Sequence, residues 1–145
     1  MHAESTASTS WDGTLAQGSG TTSLASGAAA PLVVSWGARA ERAAGSTSPE
    51  ELIAAAHASC YAMAFSNVLA EAGATPEHLD VSVTVTFEVV DGAPTITRSA
   101  LTVRGGASGI DAAGFAEAAE GAKAGCPVSR ALQGNVEITL DAALA

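Results

Sequence analysis

Positive charge is scarce in this sequence. Six Lys and Arg residues stand against fifteen Asp and Glu, for a net charge of −9. Such a surface repels phosphate backbones and anionic headgroups, which argues against nucleic acid and membrane surfaces as partners. Scarcity also makes each cation informative, because Arg39, Arg42, Arg98, Arg104, Lys123 and Arg130 are no general basic coating. Aromatics make up 4% of a chain that is 48% hydrophobic, so the core must be built from Ala, Val, Leu and Ile. An opening apolar run is also missing. Met1 to Gly20 is polar, small and rich in Gly, Ser and Thr, unlike a signal peptide, and a cytoplasmic location is expected. There are two cysteines, which allow one internal disulfide, Cys60–Cys126. In the cytoplasm such a pair reads as catalytic or redox-active before it reads as a staple.

What the chain does have is one long apolar stretch, Ser48 to Gly73, SPEELIAAAHASCYAMAFSNVLAEAG. Ser48 and Glu51 form a capping-box pattern, and Pro49 falls at the first helical position. Glu50 and Glu51 set negative charge against the positive end of the helix dipole. Gly73 supplies a left-handed cap. The residues between are small or apolar on nearly every side, which predicts a helix about 37 Å long and buried all round. His57, Ser59, Cys60, Ser66 and Asn67 interrupt it too often for a membrane span.

The remaining pattern places strands around this helix. Thr9–Asp12 and Gly20–Ala25 read as a hairpin, and Leu32–Trp36 as a strand with Arg39 at or just beyond its end. Thr75 to Leu79 reads as a turn or a single helical turn. Val81 to Val89 alternates apolar and polar residues, Asp91 to Pro94 turns the chain, and Thr95–Arg104 returns. Gly105 to Gly109 is expected to be a flexible loop. Asp111 caps a second helix over Ala112–Ala124, with Phe115, Ala118, Ala119 and Ala122 inward. Cys126 and Pro127 open a further helical turn, and Val136 to Asp141 closes the chain as a strand. The expectation is a single α+β domain, 1–145, with residues 1–7 a flexible tail and a largely antiparallel sheet. One sheet and one covering helix cannot bury 48–73 on all sides, so its spare face calls for a partner subunit.

Each candidate site residue also has a plain reading. Cys60 in an Ala-rich helix can serve as a small hydrophobe. Cys126, just ahead of a helical turn, is either a small junction residue or a thiol favoured as thiolate by unpaired N–H groups. Cys60 has no helix N-terminus beside it and needs a cation. Arg39 can serve, oriented by a carboxylate through a bidentate pair, or can simply pair with Glu41 at the surface. Glu50 is already explained by its place at a helix start. His57, one turn before Cys60, could share a metal with it, but a metal wants three or four ligands and a hydrogen-bonded structural histidine is expected instead.

Together the residues resemble the OsmC family, the osmotically inducible thiol peroxidases related to organic hydroperoxide resistance (Ohr) proteins. The stretch around Cys60 carries the resemblance, with AKAGCPVSRAL around Cys126, the early SWDG and the closing NVEITLDAAL. AHASC and CPVS favour the OsmC branch. The resemblance implies that Cys60 is the peroxidatic cysteine, Cys126 the resolving cysteine, and Glu50 the partner of an active-site arginine. That arginine maps to Arg39, with Arg42 the competitor should the loop shift the register. It also implies an OsmC-like fold, a curved sheet wrapped around a long buried central helix in an intertwined homodimer. The activity implied is reduction of organic hydroperoxides through a Cys60 sulfenic acid and a Cys60–Cys126 disulfide, reset by a dithiol of lipoyl type, with no metal, flavin or haem cofactor. A non-catalytic redox sensor or binding module using the same disulfide is the alternative, and turnover separates the two.

Overall fold

A computed structural model describes residues 1–145. The chain divides into two compact units, Met1–Leu52 and Ile53–Ala145. Each contains a three-stranded sheet, so the strands form two sheets where the sequence pattern suggested one.

In the first unit, β1 (Ala7–Asp12), β2 (Ser19–Leu24) and β3 (Leu32–Ser35) form an antiparallel meander. Gly20 sits between Trp11 and Val34 in this sheet. A Cβ there would lie 2.9 Å from the Trp11 ring and from the Val34 side chain, so only glycine lets these neighbours close in. β3 stops at Ser35 because Ser35 caps a short helix, α1 (Trp36–Ala40), its Oγ accepting from the Ala38 N–H at 3.1 Å. Trp36 and Arg39 therefore lie on a helix, not on the strand or its end.

Helix α2 (Pro49–Glu71) starts and stops where its cap residues say. Ser48 Oγ accepts from the Glu51 N–H at 3.1 Å. The other half of the capping box is not made, because the Glu51 carboxylate accepts from the Thr47 hydroxyl instead. At the far end Ala74 N–H donates to Leu69 O and Gly73 N–H to Ala70 O, with Gly73 at φ +80. These are the two bonds of a Schellman motif, with Leu69 and Ala74 buried over it. The helix is not buried on all sides. His57, Tyr61, Phe65 and Leu69 form one buried stripe at a spacing of four, while Glu51, Ala55, Ser59, Met63, Asn67 and Glu71 form an exposed one. By length and composition alone α2 could cross a bilayer, with a mean hydropathy of 1.4 despite its polar interruptions. Its buried stripe instead packs into a protein core.

That core belongs to the second unit. β4 (Thr75–Val90) and β5 (Ala93–Ser108) form a long antiparallel hairpin. It is closed by Asp91 and Gly92 at φ 51 and 79, the left-handed pair of a two-residue turn. The hairpin runs further than the alternation in sequence suggested. Thr75–Leu79 is strand, with an irregularity between Pro76 and His78, and the expected loop at Gly105–Gly109 is strand through Ser108. A Cβ at Gly105 would lie 2.6 Å from the His78 carbonyl oxygen, so this glycine serves close strand approach. After α3 (Ala112–Gly125) and α4 (Pro127–Leu132), β6 (Glu137–Leu144) pairs with β5 in parallel. The other strand pairings are antiparallel, as largely expected, and the helical crossover is what permits this parallel one. Tyr61, Phe65 and Leu69 of α2 pack with Leu101 and Val103 of β5 and with Phe115, Ala119 and Ala122 of α3. Phe65 and Phe115 meet edge to face, centroids 4.9 Å apart.

Candidate active site: a thiol pair and an arginine–carboxylate pair

Cys126 occupies a junction. Its N–H closes α3 on the Ala122 carbonyl at 2.8 Å, and its own carbonyl accepts the first bond of α4 from Arg130 N–H at 3.0 Å. Pro127 explains the geometry, since a residue before proline is driven out of the helical region and proline itself suits the first helical position. Cys126 is accordingly extended, at φ −60 and ψ 123. The bend turns its side chain inward, where it is fully buried. Cys60, partly exposed in mid-α2, lies opposite, and the two Sγ atoms are 3.3 Å apart in the reduced state.

The two thiols are pushed in opposite directions. Burial drives the Cys60 pKa up, and the neighbouring Cys126 adds to the rise against the pull of the Val128 amide. Burial also works against a Cys126 thiolate. It is outweighed by the Ser129 amide, the Cys60 thiol, the Ser129 hydroxyl and the Val128 amide, so Cys126 falls below its ordinary value. These are dipoles directed at the sulfur, without a closed side-chain capping bond. Within this unit Cys126 is the readier thiolate, and Cys60 needs help to ionise.

His57, one turn before Cys60, has both ring nitrogens occupied. Nδ1 lies 2.7 Å from Ser99 Oγ and Nε2 lies 2.8 Å from Ser129 Oγ, all three residues being buried. The hydrogen-bonded role expected of this histidine is the one seen. No group of three or more His, Cys, Asp or Glu side chains is placed to hold a metal ion.

The expected arginine pair lies in the first unit. Arg39 Nε donates to Glu50 Oε1 at 2.8 Å, and Nη2 lies 2.8 Å from the same oxygen. The fork thus grips one carboxylate oxygen, not two. Glu50 is 1% exposed, and its Oε2 is buried without a hydrogen-bond partner. Arg39 pairs with Glu50, while Arg42 is exposed in a left-handed conformation at φ 58. A cleft of about 350 Å³ borders Arg39, lined among others by Trp11, Leu15, Val34, Trp36 and Leu52. Met63 and Phe65, two apolar residues near Cys60 in sequence, part company: Met63 is exposed and Phe65 is in the core.

Nothing in the residue pattern pointed directly to Ser99 or Ser129 as partners of His57. One signal was available for Ser99. It shares the inward face of β5 with Leu101 and Val103, and a hydroxyl in an apolar row needs a buried partner.

A family model described as OsmC-like protein matches residues 42–141. This chain belongs to the OsmC-like family. The match spans the boundary between the two units and includes both cysteines and Glu50, with Arg39 just ahead of it. This OsmC-like chain is 44% identical over 131 residues to Peroxiredoxin OsmC of Escherichia coli K12, covering 90% of each. Among solved structures it is similar to the organic hydroperoxide resistance protein OhrB of Bacillus subtilis, at 26% identity and a TM-score of 0.72, covering 94% of this chain and 97% of that one. A Legionella pneumophila OsmC structure, 22% identical with a TM-score of 0.77 and covering 98% and 99%, shares the fold.

Proposed function

We propose that this protein is a cysteine peroxidase that reduces organic hydroperoxides to alcohols. The observation that carries the reading is the pair of reduced sulfurs 3.3 Å apart, within reach of bonding after a small movement. The names of its relatives, a peroxiredoxin and an organic hydroperoxide resistance protein, support it. In the first step the Cys60 thiolate attacks the peroxide. An S–O bond forms as the O–O bond breaks, and the alkoxide takes a proton to leave as the alcohol. In the second step Cys126 attacks the Cys60 sulfenic acid. The S–S bond forms, the S–O bond breaks, and hydroxide leaves as water after protonation. A dithiol of lipoyl type then reduces the disulfide by exchange, so the cycle uses no cofactor.

Cys60 is raised by burial, so it needs a cation, and Arg39 held by Glu50 is the candidate. Glu50 and Cys60 are ten residues apart on unbroken α2, about 15 Å along its axis. We therefore assign Arg39 and Glu50 to the Cys60 of the other subunit, in an intertwined homodimer that also covers the exposed stripe of α2. In that assembly 1–145 acts as one domain in the cytoplasm, its sheets curving around the paired helices. The apolar cleft beside Arg39 would receive the organic part of the substrate.

Peroxide consumption with excess dithiol tests the reading. Cys60→Ser should consume none. Cys126→Ser should consume about one equivalent and stall with Cys60 as sulfenic acid or a higher oxide. Normal cycling by Cys126→Ser would remove the resolving role, and activity in Cys60→Ser would remove the mechanism.

A further inference from the structure

The peroxidase cycle makes no use of the most buried polar cluster in the second unit. His57 is 0% exposed, Ser99 0% and Ser129 3%. A histidine in such a place could be replaced by an apolar residue unless its hydrogen bonds do something. Ser129 ties it to the thiol pair. Ser129 stands in the first turn of α4, three residues after Cys126; its Oγ lies 2.8 Å from His57 Nε2, and its hydroxyl is among the groups that hold the Cys126 thiol below its ordinary value.

We propose that His57 is a positioning residue for Cys126: its Nε2–H donates to Ser129 Oγ, which leaves the Ser129 hydroxyl proton directed at Cys126 Sγ and holds that sulfur as the attacking thiolate 3.3 Å from Cys60. The proposal rests on the resolving role given to Cys126 above.

The donor count leaves two arrangements of the chain. Burial pushes the His57 pKa down, so the ring is neutral and carries one N–H. If that proton is on Nε2, Ser129 accepts it and keeps its own proton for sulfur, and the Ser99 hydroxyl donates to Nδ1. If it is on Nδ1, Ser129 must give its only proton to the ring, and Cys126 receives none. Only the first arrangement serves the thiolate. The other titratable groups around Cys126 do not compete for this role. Cys60 faces it from α2, and Tyr61, also on α2, is held protonated by burial while its hydroxyl donates to the Ala119 carbonyl at 2.8 Å. Glu120 of α3 acts on Tyr61. Lys123 and Arg130 border a cleft with Ser129, and Lys123 is paired with Glu120.

The test needs no peroxide, so it stands apart from the peroxidase reading. In a Cys60→Ser background, the rate of Cys126 alkylation is followed against pH. Ser129→Ala should raise the midpoint by about one unit, a tenfold loss of thiolate below it, and Ser129→Thr should keep it low. His57→Asn should raise it in the same direction, and the double variant should add little, because the two groups act in series. In the intact protein, 15N spectra of the imidazole should show the proton on Nε2, a reading that holds even where His57→Asn fails to fold. An unchanged midpoint in Ser129→Ala, or a ring proton on Nδ1, would overturn the proposal. Failure of Cys126→Ser to stall with peroxide would instead strike the resolving role and leave this titration standing.

Discussion

If the fold holds Cys60 and Cys126 ready to join, oxidation should stabilise the protein rather than strain it. The two residues are 66 apart in sequence. A crosslink closing a loop of that size removes chain entropy from the unfolded state worth about 4 kcal/mol. The native state has little to give back, because the sulfurs start at 3.3 Å and need to close by only ~1.3 Å to reach a bond of about 2.05 Å. Cys60 sits on α2 and Cys126 at the extended junction of α3 and α4, helices that would move only slightly. The net gain should therefore approach the full loop value, equivalent to a rise in Tm on the order of 10 °C for a chain of this length. The assay is urea unfolding at fixed protein concentration, comparing reduced protein, protein treated with one equivalent of alkyl hydroperoxide under non-reducing conditions, and treated Cys126→Ser. Only the treated wild type should gain. A midpoint that stays level or falls on forming the intramolecular disulfide would mean that joining the sulfurs distorts α2 or the α3–α4 junction. The fold would then not be set for the second step.

Two further outcomes concern the arginine. Arg39→Met should raise the Cys60 pKa in the assembled protein, so that at a fixed pH below it the thiolate fraction and the alkylation rate both fall, whereas Arg42→Met should leave them unchanged. A raised pKa in Arg42→Met alone would reverse the assignment. Mixed Cys60→Ser and Glu50→Ala subunits should form heterodimers that regain one working site of two, and verified heterodimers without recovered peroxidase activity would exclude a site shared between chains.

Local chemistry was the legible part of this fold. The ends of α2 follow from Ser48, Pro49 and Gly73, the hairpin turn from Asp91-Gly92, and the inward face of α3 from its spacing. What was hidden depends on partners distant in sequence. The strand character of Thr75–Leu79 comes from pairing with residues near 105, and Gly105 looks like a loop until its strand neighbour occupies the space a side chain would fill. The parallel course of β6 is set by where the crossover returns the chain, and nothing in Val136 to Leu144 encodes that direction. At β3 the competing signal was local but weak, since one serine cap outweighed the strand preference of Trp36. The cysteines and the Arg39–Glu50 pair were legible through family resemblance, with Arg39 expected at or just beyond a strand end and found beyond it on a short helix. The serines around His57 were not, because a serine in an apolar row does not announce which buried group it serves.

The two stripes on α2 differ in more than exposure. Positions four apart trace a ridge that winds slowly around a helix instead of running straight along it, and ridges of this kind interlock when two helices cross at about −50°. Glu51, Ala55, Ser59 and Met63 form such a ridge on the open side. A second copy seated there would cross this helix obliquely, touching closely over about two turns and diverging on either side, unlike the long seam of a coiled coil. The residue midway between Glu50 and Cys60 is Ala55, flanked by Ala54 and Ala56. With the two-fold axis at that point, the smallest side chains on the helix would lie at the crossing and let the axes approach to about 8 Å. The reach from one chain's arginine to the other's sulfur would then be fixed by three methyl groups that take no part in the chemistry.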